Sequence, residues 1–124
     1  MEEYERWAKQ AEVDLESVEY NLEGKRYYVC ANYSQQAVEK LLKALIIKNE
    51  GKLIKTHSVT KMAKKLGLPE KLVLKISKLE PVQRESRYPD VSSKLPFEEY
   101  DKVDADEFLN TAKEVLTWVK DRLK

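Results

Sequence analysis

The chain has 124 residues and a formal net charge of +1, and 36% of it is charged while only three residues are Gly and four are Pro. That is long enough for one domain, residues 1–124, and too short for two ordinary ones; the scarcity of turn residues fits an all-α fold of long helices better than a turn-rich β fold. A lone cysteine, Cys30, excludes a disulfide framework or thiolate metal cluster and suggests a reducing, cytoplasmic setting, and the acidic start "MEEYERWAKQ" is not a signal peptide.

The predicted elements, in chain order, are all helical. Tyr4, Trp7, Ala8, Ala11, Leu15, Val18 and Leu22 recur at helical spacing from Glu3 to Leu22, and Gly24 ends that run. A second helix, from Arg26 to Asn49, places Ala31, Val38, Leu41, Leu42 and Leu45 inward and stops at Gly51. Two helices of this length across a tight turn predict an antiparallel hairpin. Ser58 is placed to cap a short third helix ending at Gly67, and Pro69 to open a fourth bearing Leu72, Ile76 and Leu79. Pro81 must stop or kink that helix because it has no amide proton. The last helix carries Phe108, Ala112, Val115, Leu116, Val119 and Leu123, with Asp104 as its cap and Glu107 as the capping-box partner. The expectation is an up-and-down bundle of five helices and no sheet, forming a homodimer through helix surfaces.

Residues 83–103 form the one long irregular stretch, longer than a bundle connection requires. Within it stands "RYPD". Pro89 pushes Tyr88 out of the helical region, so the tetrapeptide makes a rigid extended corner that fixes where Arg87 and Asp90 point. Charge is uneven as well: residues 1–39 carry −5, residues 40–78 carry +9 from eleven lysines against two glutamates, and the remainder carries −3. A basic middle between acidic ends attracts phosphate locally without making the chain a basic nucleic-acid binder. The same pattern also describes an ordinary solvated lysine surface.

The stretches "WAKQAEVDLESVEYNL", "YYVCANYSQQAVEKLLKALI", "THSVTKMAKKL", "SRYPDV" and "DADEFLNTAKEVLTWVK", in this order and spacing, resemble the HEPN family (higher eukaryote and prokaryote nucleotide-binding domain), specifically its small stand-alone prokaryotic members. The resemblance implies a helical bundle, frequent homodimerisation, and pairing with a minimal nucleotidyltransferase as toxin and antitoxin. Many members are metal-independent endoribonucleases whose centre is an Arg followed four to six residues later by a His. Here Arg84 and Arg87 have no downstream His, because His57, the only histidine, lies upstream.

Several side chains are candidates for a nucleotide- or phosphate-binding site. Gln36, Lys40 and Lys43 fall within about 60° of one another on the second helix, opposite Val38, either as a donor-rich anion surface or as a solvated face. His57, just before the Ser58 cap, could meet an anion at free helix amides or merely hold the corner. Arg87 could grip phosphate in bidentate fashion or pair with Asp90 or Glu85, and Tyr88 could stack on a base or wedge the corner. Tyr20, Tyr27, Tyr28 and Tyr33 read as packing residues, and Cys30 as an inert core thiol. The acidic "EEYDKVDADE" lacks calcium-loop spacing, so no metal and no cofactor is expected.

Three functions compete. The first is a nucleotide- or RNA-associated domain acting with a nucleotidyltransferase. The second is a metal-independent endoribonuclease with a rearranged Arg87/His57 site. The third is a non-catalytic helical dimerisation module.

Overall fold

The computed structural model describes all 124 residues and contains no strand. Its helices are α1 (Glu3–Glu23), α2 (Tyr27–Glu50), α3 (Val59–Leu66), α4 (Glu70–Ser77), α5 (Val82–Glu85), α6 (Pro96–Glu99) and α7 (Lys102–Leu123). The five predicted helices are present; α5 is a single turn that runs from Val82 into the stretch read as irregular, and α6 a single turn inside it. No helix is long and apolar enough to cross a membrane.

Helix α2 is the axis of the fold. It packs along α1 and α7 and also touches α3, α5 and α6, so its run Leu41–Ile47 is buried on every side. Six of the seven residues of that run are apolar, and a helical stretch apolar on every side belongs in the interior. The α1–α2 turn takes an unexpected form: Gly24 has φ −79° and Lys25 adopts the left-handed φ of 60°. By contrast Gly51 and Gly67, at φ 74° and 77°, end α2 and α3 in the left-handed conformation that glycine accepts without a Cβ penalty.

Two caps differ from expectation. Pro69 is the residue before α4 rather than its first member. The last helix begins three residues early: Asp101 accepts from the Asp104 amide at 2.9 Å, and Asp104 accepts from the Asp101 amide at 3.0 Å. The sequence holds two overlapping acidic boxes, Asp101/Asp104 and Asp104/Glu107, and the earlier one extends the helix by almost a turn. It also leaves Tyr100 buried, its ring edge-on to Phe108 with centroids 6.1 Å apart.

Candidate functional site

Along α2 the polar residues form two adjacent ladders, each spaced four residues apart so that neighbours stack on one helix face. In the first, Gln36 Nε2 donates to Asn32 Oδ1 at 2.6 Å and Lys40 Nζ donates to Gln36 Oε1 at 3.3 Å. The ladder is tied at both ends. Lys40 pairs with Asp14 of α1 at 2.5 Å, and Gln10 also donates to Asp14, at 3.1 Å. At the other end Asn32 Nδ2 donates to Ser86 Oγ at 2.8 Å, and Ser86 in turn donates to the Val82 carbonyl at 2.7 Å. Hydrogen bonds therefore run from α1, through α2, to the residue immediately before Arg87.

The second ladder centres on Glu39. Its carboxylate accepts from Gln35 at 3.0 Å, from Lys43 at 2.9 Å and from His57 Nδ1 at 2.9 Å. An ionised carboxylate has no proton to give, so the Nδ1 of His57 carries it. Burial pushes the Glu39 carboxyl up, but the bonds from Lys43, Gln35 and His57 outweigh that cost and hold it below the usual carboxylate range. Lys43 Nζ also lies 5.7 Å from the centre of the Trp7 ring of α1. Lys43 is 5% exposed, so the Gln36, Lys40, Lys43 stripe is no solvated face at that end. Gln35 Oε1, beside this cluster, is buried with no partner.

The structure joins some of the predicted site residues and separates others. Gln36 and Lys40 belong to one ladder, Lys43 and His57 to the other. Ser86 is held at Asn32 while His57 is held at Glu39, seven residues and about 10 Å further along α2. His57 does not meet free amides: Glu80 already accepts from the Thr60 amide at 3.0 Å and from the Ser58 hydroxyl at 3.1 Å, filling the start of α3. Arg87 and Asp90 are exposed and form no ion pair with each other or with Glu85, which instead accepts from the Tyr100 hydroxyl at 3.4 Å. Tyr88 is 49% exposed and does not wedge the corner. Cys30 is fully buried, and desolvation pushes its thiol up to about 11, as an inert core residue requires.

Sequence reading missed Asp14, Asn32, Glu39 and Ser86. Two of these left a signal. Asp14 stands on the apolar stripe of Ala11, Leu15 and Val18, and Glu39 lies four residues from both Gln35 and Lys43. Nothing local marks Asn32 or Ser86, which are 54 residues apart.

The model of the HEPN domain matches residues 4–122. The chain belongs to the HEPN family. A Methanocaldococcus jannaschii protein provisionally named a toxin, MJ1304, is 36% identical over 94% of this chain and 85% of its own length. Among solved structures, an archaeal HEPN homologue, ST0689, superposes with a TM-score of 0.84 at 36% identity over the whole of both chains. TT1696 from Thermus thermophilus gives 0.89 at 26% identity over 98% of each chain. This HEPN chain therefore has an all-helical fold shared with its relatives, while its lone histidine faces Glu39 rather than either arginine of the 84–87 turn.

Proposed function

We propose that this HEPN protein is toxin-like, associates with nucleotide or RNA, and acts with an antitoxin-type partner, a minimal nucleotidyltransferase, in the cytoplasm and as a homodimer. The observation that carries the reading is the 36% identity, across nearly the whole chain, to a relative named as a toxin. The corner supports it physically. Arg87 projects an unpaired guanidinium from a backbone anchored by Ser86 to Asn32, which suits capture of a phosphate or a carboxylate. Lys40, Lys43 and His57 are already engaged by carboxylates, so they would assist by holding α2 and its neighbours in place rather than as free cations.

A ribonuclease built from Arg87 and His57 of one protomer gains no support from this geometry, because general acid-base work needs both groups within hydrogen-bond reach of one substrate. The test is induced expression in a bacterial host with and without the adjacent reading frame. Growth arrest relieved by the neighbour, with the two proteins co-eluting, is the expected result, and Arg87→Ala should relieve arrest while leaving the fold intact. Normal growth on overproduction of soluble protein would refute the toxin reading.

A further inference from the structure

Of the eleven lysines between Lys40 and Lys78, five have partners: Lys40 and Lys43 in the ladders, Lys48 on the Leu123 carbonyl, Lys65 on Glu50, and Lys75 on Glu114. The positive charge left over is therefore displaced from α2 toward α3 and α4, where Lys61, Lys64, Lys71 and Lys78 form no ion pair. On α4 these cations surround an apolar residue. Leu74 is 63% exposed, one helical turn from both Lys71 and Lys78, while Leu72, Val73 and Ile76 of the same helix are buried.

Beside this face, the seam between α4 and α7 is open. One end is a cleft of about 580 Å³ with Phe108 and Thr111 at its base and Lys75, Lys78 and Lys113 around it. The other is a cleft of about 430 Å³ between Leu72, Pro69, Lys71 and Trp118. Glu114 lines both, and its bond to Lys75 at 2.8 Å is the strap between them. Both partners of that strap are about half exposed, so water screens the pair and an incoming carboxylate could displace Glu114 from Lys75 at small cost.

We propose that the α4–α7 seam is a docking groove for an acidic segment of a partner protein, anchored by two large apolar side chains, one in each cleft. Phe108 and Trp118 are ten residues apart on α7, about 15 Å. An extended segment covers that distance in four or five residues, at about 3.3 Å each. Lys113 is held by Glu19 at 3.0 Å and Lys75 by Glu114, but Lys71 and Lys78 are unpaired against Glu107 alone, so the groove attracts carboxylates, and Phe108 in one cleft with Leu72 and Trp118 in the other rewards aliphatic or aromatic anchors. A nucleic-acid strand fits less well. Glu107 and Glu114 interrupt the cationic track, Leu74 offers no π face, and the Arg122 guanidinium covers the Trp118 ring at 3.6 Å. The inference deepens the partner-dependent reading but rests on it only for which protein supplies the segment.

The experiment uses the purified full-length chain and three probes: an acidic peptide of about ten residues with two phenylalanines spaced to the clefts, the same peptide with both changed to alanine, and an oligouridylate of about ten nucleotides. Amide shifts followed by NMR should map the first peptide to Leu74, Phe108 and Trp118. Its affinity should fall about tenfold or more without the phenylalanines, and likewise in Lys75→Glu/Lys78→Glu. An equal charge change outside the groove, Lys52→Glu/Lys55→Glu, should cost less than about threefold. Binding of the oligonucleotide but not the peptide, equal losses in both double variants, or no peptide binding at millimolar concentration would overturn the groove. If Lys75→Glu/Lys78→Glu leaves co-elution with the genomic neighbour unchanged, the partner reading stands and the groove as its docking site is wrong.

Discussion

Helix α2 and the connector that follows α5 treat their side chains in opposite ways. In α2 the polar groups are drawn inward: Lys43, Gln35 and Ser34 are buried, and Glu39 is bonded on three sides. In the connector and the first turn of α7, Tyr100 aside, the large apolar groups are turned outward: Tyr88, Leu95, Phe97 and Val103 are 49%, 44%, 63% and 63% exposed, and Arg87 is left without a partner. A buried ion pair tolerates little change, since removing one member strands a charge in a low dielectric. An exposed segment held by short-range bonds such as Ser92 to Glu99 can vary or move without disturbing the core. Rigidity is thus concentrated where the charge is paired, and recognition can be concentrated where it is not.

The contrast breaks most easily at Lys43. Lys43→Ala should destabilise the protein by about 3 kcal/mol, measured by urea unfolding, because Glu39 loses its one permanent counter-charge inside the bundle. Lys43→Met/Glu39→Leu should recover most of that loss, since an apolar pair of similar volume carries no desolvation cost. If the single change costs less than a surface substitution, the pair is not buried in solution.

A smaller effect, about 1–2 kcal/mol, is expected for Asn32→Ala, which leaves the Gln36 amide and the Ser86 hydroxyl each short of one bond. Faster amide exchange at residues 86–90, with little change in α1, would show that this ladder anchors the corner. Uniform change across the molecule would show that it does not.

Acid sharpens the same comparison. The folded Glu39 carboxyl titrates below its unfolded value of about 4.3, so its contribution is present above that pH and is lost as pH falls through the lower folded value. Wild type should therefore lose stability as pH falls below about 4.3 more steeply than Glu39→Gln, which has no carboxyl to protonate. Parallel curves from unfolding titrations at each pH would remove Glu39 from the account.

The smallest change in stability should come from the connector. Arg87→Ala and Tyr88→Ala are each expected to stay within about 0.5 kcal/mol of wild type by thermal unfolding. Any loss of toxicity or partner binding in these variants would then report on recognition. A large drop in melting temperature would instead make the corner a structural element.

The sequence by itself determined the helical class, the hairpin of α1 and α2, the turns at Gly51 and Gly67 and the isolation of Cys30, because apolar periodicity and backbone permissiveness are local properties. It also carried enough ordered motif to mark the HEPN family. Tertiary structure alone decided that α2 lies at the centre, and this one placement turned Lys43 from a surface cation into a buried partner of Glu39. It also chose Asp101 over Asp104 as the cap of α7, since both boxes satisfy the same local rule, and with the earlier one Tyr100 is buried beside Phe108. The meaning of the +9 segment depended on it too. A lysine's availability is set by which carboxylate lies within reach, and Asp14 of α1, which pairs with Lys40, stands 26 residues away in the chain.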